Sequence, residues 1–167
     1  MKVALELSGH IRTFEKTFQH LQSKLSGHDV DYFISTWDNF GNSANCVCPI
    51  DETQIVPRNF FEKFFIPKMI QIDNKDSVNL THEGPIKYRP WYLHDRISTE
   101  RILGMFYRMW NCNQLRQEYQ KKNNATYDVV IRTRFDYVPY KLSLDDLPRL
   151  DDKSFAIPDK DENFNVH

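Results

Sequence analysis

Three short segments of the chain hold residue types that could do chemistry together. The first is Ser8-Gly9-His10-Ile11-Arg12-Thr13. A glycine there permits close backbone approach or a positive φ. A helix that follows offers free N–H groups and the positive end of its dipole. The Arg12 guanidinium suits phosphate oxygens. Ser8, Gly9 and Arg12 would therefore suit the phosphates of a nucleotide. The plain alternative is a β-to-α turn with a surface arginine. Neither a P-loop nor a Gly-x-Gly-x-x-Gly fingerprint is present, which counts against those classes. The second segment is Thr36-Trp37-Asp38. A ring and a carboxylate at a strand end could hold a base or a ribose. Taken singly, a tryptophan packed over the sheet edge and an aspartate starting a turn are the simpler readings.

The third segment, Ile131-Arg132-Thr133-Arg134-Phe135-Asp136, is the most informative. If it stays extended, its period of two puts Arg132, Arg134 and Asp136 on one side. Charges on an apolar strand are costly unless paired or bound to something. A functional arrangement would have Asp136 hold a divalent cation while the arginines neutralise phosphate charge. The structural alternative is a salt bridge among the three, or a strand end already in water. Other groups are weaker. Cys46-Val47-Cys48 lacks zinc spacing. His10, His20, His28, His82, His94 and His167 form no ligand pattern, and no Gly-x-Ser-x-Gly elbow occurs. Asp145-Asp146 and Asp151-Asp152 read as a solvated, turn-rich surface.

These segments need elements to position them. Lys2 to Leu7 is short and apolar, as a buried strand should be, and Ser8-Gly9 breaks it. Thr13 can cap a helix to about Leu25, with Phe14, Phe18, Leu21 and Leu25 on one face. Asp31 to Trp37 reads as a second strand, and Asp38 to Ile50 as a loop. Pro57 fits the first turn of a helix through about Phe65. Lys68 to Asp73 is a third strand, and Asn74 to Pro90 is irregular. Ser98 or Thr99 opens the longest helix, which runs to about Lys122. Leu103, Phe106, Tyr107 and Trp110 recur on it at helical spacing, widened by Met105, Met109 and Cys112. That pattern predicts a largely buried helix facing the core through these residues. Tyr127 to Thr133 is the clearest strand; Leu144 to Leu147 suggests a helical turn and Phe155-Ala156-Ile157 a last short strand. Strand and helix thus alternate, predicting an α/β fold: a mostly parallel sheet with helices on both faces. In open sheets of this kind ligands bind beyond the carboxyl ends of the strands. The three segments above are those exits.

The 167 residues amount to one domain. Hydrophobic residues make up 40% and aromatic ones 14%, which argues against disorder. A chain of this size can bury roughly 70% of its unfolded surface, so it needs no staples. Basic and acidic residues nearly cancel, 22 against 23, so a general nucleic-acid binder is not expected. No stretch approaches the roughly 20 apolar residues of a membrane span. Met1-Lys2-Val3-Ala4-Leu5 lacks the features of a signal peptide, and three cysteines are sparse and odd in number. Both features point to a reducing, cytoplasmic setting. The glycosylation-like Asn79-Leu80-Thr81 and Asn124-Ala125-Thr126 carry no meaning in that setting.

Four segments in order resemble a family of small GT-A-type glycosyltransferases of bacterial polysaccharide clusters and large DNA viruses. They are Leu7-Ser8-Gly9-His10-Ile11-Arg12-Thr13-Phe14, Phe33-Ile34-Ser35-Thr36-Trp37-Asp38, Met105 to Asn113 on the long helix, and Tyr127 to Asp136 with its Arg-x-Arg-x-Asp. The resemblance spans Met1 to about Ile157. It implies a GT-A, Rossmann-like domain over residues 1–167 that binds a nucleoside diphosphate sugar and passes the sugar to a glycan or lipid-linked acceptor. Ser8, Gly9, Arg12, Thr36, Asp38, Arg132 and Arg134 would contact the donor. Asp136 would stand for the last carboxylate of an Asp-x-Asp motif and hold Mg²⁺ or Mn²⁺. The earlier carboxylate position is Arg134 instead. Relatives of this kind continue further, so a truncated chain, a short natural form or one domain of a longer protein are all open. No catalytic base is named. Two alternatives stand beside the transferase: an inactive nucleotide-sugar-binding module, and an interaction domain without a small ligand.

Overall fold

A computed structural model of the chain describes residues 1–41, 54–78, 99–137, 144, 156–158 and 164–166. Its element order is β1 (Lys2–Gly9), α1 (Phe14–Lys24), β2 (Asp29–Trp37), β3 (Met69–Asp73), α2 (Thr99–Asn123), β4 (Val129–Arg134), β5 (Ala156–Pro158) and β6 (Phe164–Val166). The first four strands make one sheet in the order β3-β2-β1-β4, and every neighbouring pair is parallel. The expected α/β architecture with a mostly parallel sheet is therefore present. β5, near the expected last strand, pairs antiparallel with β6 as a separate hairpin. The expectations for Cys46 and Cys48, His82, His94 and His167, Asn79-Leu80-Thr81, and the paired aspartates lie outside the described residues. So do most of the loop expected from Asp38 to Ile50, most of the irregular stretch from Asn74 to Pro90, and most of the turn from Leu144 to Leu147.

Alternation along the strands sorts their side chains onto two faces. Val3, Leu5 and Leu7 of β1 and Ile34 of β2 pack with Phe14, Phe18 and Leu21 of α1. Ala4 and Phe33 point the other way, onto Cys112 of α2. Each face of the sheet thus carries one long helix. Phe14 is the hub of the first face, with ring centroids of Phe18, Phe64 and Phe135 each 5.3 Å away. Off-parallel aromatic pairs of this kind add about 0.5–1.5 kcal/mol each beyond burial.

Two helix expectations need correction. The segment after Pro57 forms only a 3-10 turn, Phe60–Lys63. Phe60 and Phe61 are buried, and Phe64 and Phe65 pack on the same core. Pro67 follows closely, so the segment is short and its rings are held by the core, not by helical periodicity. The second correction concerns the face of α2. Phe106 is 56% and Trp110 58% exposed, while Arg108, Asn111, Cys112 and Leu115 are buried. The inward stripe carries Arg108, which the sheet meets with Ser35 and Asp73, and Asn111, whose Nδ2 has no hydrogen-bond partner among the described residues. The expected stripe is thus right at Cys112 and wrong at Met105, Phe106 and Trp110, which face outward. Tyr107, expected to pack inward, is partly buried against Trp37 at 6.2 Å.

Candidate functional site

β2 and β3 lie to one side of β1, and β4 lies to the other. The chain therefore reverses direction across the sheet between β1 and β4. At such a switch point the loops leaving two adjacent strands diverge and open a crevice at their carboxyl ends. The register puts Ser8 opposite Arg134 there. Gly9 ends β1 with φ +109, and a side chain at that position would meet nothing within 4 Å among the described residues. Its backbone borders open space, in a conformation that favours glycine.

Beyond Gly9 the chain enters α1 through a tight bend. Arg12 is left-handed at φ 44, a conformation that costs a non-glycine residue of order 1–2 kcal/mol. Two things hold it: the Arg12 N–H donates to the Phe40 carbonyl at 3.0 Å, and neighbouring Ile11 is fully buried. Thr13 stands at the helix N-terminus as expected but makes no side-chain cap.

On the other side of the crevice β4 ends at Arg134 and the chain turns. Phe135 drives the turn: it is buried against Phe14 and Phe61. Thr17 of α1 also donates its hydroxyl to the Phe135 carbonyl at 2.7 Å. This anchor brings the Asp136 carboxylate back over the strand end. Arg134 donates to it through Nε at 2.8 Å and Nη2 at 2.7 Å. Arg12 donates through Nη1 at 2.8 Å. Burial acts to raise the carboxyl pKa, but the hydrogen bonds and charges of Arg134 and Arg12 outweigh it and hold Asp136 below the ordinary value. Two cations share one anion, so the set keeps a net positive charge. Arg12 Nε has no partner among the described residues. Arg134 is 56% exposed.

Arg132 lies on the same side of β4 as Arg134 but takes part in a different set. Its Nε donates to Glu6 at 2.9 Å, and Arg116 of α2 donates to the other oxygen at 2.7 Å. Glu6 is fully buried in the middle of β1. The three charges expected together are thus divided. Arg134 and Asp136 meet Arg12 at the crevice, and Arg132 closes a cluster between sheet and α2.

The exit of β2 is filled by the protein itself. Thr36 is fully buried and its hydroxyl donates to the Trp37 carbonyl at 3.3 Å. Trp37 is buried beneath Arg108, whose guanidinium carbon lies 3.7 Å from the ring centroid. Arg108 is itself fully buried. It reaches Ser35 Oγ at 3.2 Å and forms a 2.7 Å ion pair with Asp73 that is poorly directed for a hydrogen bond. Burial lowers its pKa, against the pull of Asp73. Asp38 accepts from Asn74 Nδ2 at 2.8 Å. The β2 exit thus supplies packing and a hydrogen-bonded turn; at the β1–β4 exit Ser8 is buried and Arg12 and Asp136 are partly buried, while Arg134 is the exposed member.

Glu6 and Arg116 are not singled out by the sequence; Arg108 is, with Tyr107, as a residue of the long helix that could reach a ligand, and it is instead buried against Trp37 and Asp73. The signal available was a lone acid within an apolar strand and two arginines eight residues apart, which share one helix face. Cys112 is not a nucleophile here: burial pushes its thiol pKa far up, and it lies 3.3 Å from the Phe33 carbonyl.

The Mg²⁺ or Mn²⁺ expected at Asp136 can be tested against these contacts. A carboxylate has about four lone-pair positions, and three are used by guanidinium N–H groups. A divalent ion about 4 Å from a guanidinium would be repelled by roughly 8 kcal/mol at an effective dielectric of about 20. Among the described residues no three histidine, cysteine, aspartate or glutamate side chains converge to offset this. The described residues do not fit a metal ion in this arrangement.

A surface hollow lined by Gln22, Ser26, His28 and Tyr32 lies at the other end of the sheet, near the start of β2. No carboxylate, lysine or arginine lines it. No helix among the described residues is long and apolar enough to cross a membrane. Comparison of the chain with protein-family models, with curated proteins and with solved structures gives no match.

Proposed function

We propose that the chain binds a nucleoside diphosphate sugar at the β1–β4 crevice and serves as a glycosyltransferase or its donor-binding domain. The observation that carries this reading is the Arg12–Asp136–Arg134 set at the topological switch point, with surplus positive charge beside the open backbone of Gly9. Paired guanidinium groups match phosphate oxygens in geometry and charge. The strand order β3-β2-β1-β4 fits the first part of a Rossmann-like sheet, the framework a GT-A domain would use. In this reading Gly9 and Ser8 let the diphosphate approach the strand end. Arg12 and Arg134 stabilise the negative charge that grows on the leaving nucleoside diphosphate as the sugar–oxygen bond breaks. A glycan or lipid-linked acceptor would approach from the sugar side.

The closed Glu6 set and the satisfied Asp136 favour a second reading, an interaction domain whose ion pairs serve only the fold. A thermal-shift panel decides between them: UDP, GDP, CMP, TDP and their sugars, each with and without Mn²⁺. A ligand at about 100 times its dissociation constant stabilises a folded domain by about 2.7 kcal/mol. A shift with one nucleoside diphosphate supports donor binding and identifies the base. No shift with any of them, from folded protein, favours the interaction domain.

A further inference from the structure

The crevice also carries an inference about how phosphate charge is met, which rests on the donor-binding reading above. Asp136 makes three guanidinium hydrogen bonds at the β1–β4 strand exit, and its side chain is partly buried. Its side chain stands where a phosphate would have to stand to use the same N–H groups. A carboxylate and a phosphate present similar oxygen pairs to a guanidinium fork. A second cation beside Asp136 would oppose the two already there. Glu6 holds Arg116 and Arg132 within a set of its own.

We infer that Asp136 is an internal stand-in for phosphate and not a metal ligand. The entering diphosphate takes over guanidinium N–H groups that Asp136 holds, and no divalent ion is needed for binding. The step is an exchange of hydrogen-bond acceptors, with no bond made or broken. Asp136 keeps the two arginines gathered and ordered until the ligand arrives. It also competes with that ligand.

Isothermal titration of the whole chain with UDP, GDP and TDP, in excess EDTA and again in Mn²⁺, tests this. The nucleotide that binds should do so equally well in both. Arg12→Ala and Arg134→Ala should each weaken it by about ten- to hundredfold, the loss of a charge-assisted contact. Asp136→Asn should tighten it, because the competing negative charge is gone. A metal ligand predicts the opposite sign for that variant. Binding only in Mn²⁺, or binding lost in Asp136→Asn with the protein still folded, overturns the inference and leaves donor binding standing. If Asp136→Asn does not fold, the EDTA and Mn²⁺ titrations of the unaltered chain still decide. No binding in either buffer overturns both the inference and the donor reading.

Discussion

Two sets of charges in this molecule share one design and differ in setting. In each, a single carboxylate is held by two arginines from different elements. Glu6 is fully buried and joins Arg116 of α2 to Arg132 of β4. Asp136 lies at the sheet edge, 16% exposed, and joins Arg12 to Arg134. The first set bridges sheet and helix, and every oxygen of its carboxylate is used inside the fold. The second stands where a parallel sheet opens, next to a glycine whose backbone faces space. Position in the topology therefore separates them, since residue composition does not. A buried cluster of this kind serves the fold; the one at the switch point is the set for which we propose exchange of its internal anion for an external one.

The largest effect should come from breaking the buried set. Glu6→Gln leaves the largely buried Arg116 without its anion, and removes the partner of the more exposed Arg132. Removing one partner of a buried pair costs about 3–5 kcal/mol, and urea unfolding would read it. A loss below 1 kcal/mol, on the order of a surface pair, would erase the contrast between the sets.

Next comes Arg108→Ala, which strips the cation from Trp37 and leaves Asp73 without its partner. We expect a loss of about 3 kcal/mol, with Trp37 fluorescence changing as the ring is uncovered. Unchanged emission would mean that the β2 exit is not sealed by Arg108.

Asp136→Asn should cost only about 1 kcal/mol, because the set is partly solvated. Its pH signature sharpens the point. A carboxyl pKa held below its unfolded value gives stability that is present above about pH 4 and is lost as pH falls through the folded value. The acid limb of the unfolding curve should therefore flatten in Asp136→Asn. An unchanged limb would show that Asp136 is not held by arginines. The smallest effects belong to the outer stripe of α2: Phe106→Ala and Trp110→Ala should each stay within about 0.5 kcal/mol.

The fold was more legible in the sequence than the site. Val129-Val130-Ile131 and Tyr32-Phe33-Ile34 reveal strands because continuous β-branched and aromatic runs have few other uses. The 25 residues of α2 are legible as a helix, but its inward face is not. The face is chosen by partners on the sheet, Glu6 for Arg116 and Asp73 for Arg108, and those partners lie far away in sequence. The same holds at the site. Arg134 and Asp136 are near neighbours in sequence, so their meeting is readable. Arg12 joins them across 124 residues, through a turn that Phe135 anchors on Phe14. Arg132 shares a strand face with Arg134 but is claimed by Glu6, a choice set by strand register.

The central claim is that the edge set exchanges its anion for a ligand while the buried set does not. Nitrogen-15 spectra of the arginine Nε–H groups, recorded as UDP, GDP or TDP is added, test it most directly. The account predicts that the Arg12 and Arg134 signals move with the nucleotide that binds, and that those of Arg116 and Arg132 stay in place. Four unmoved signals, or movement confined to Arg116 and Arg132, would contradict it.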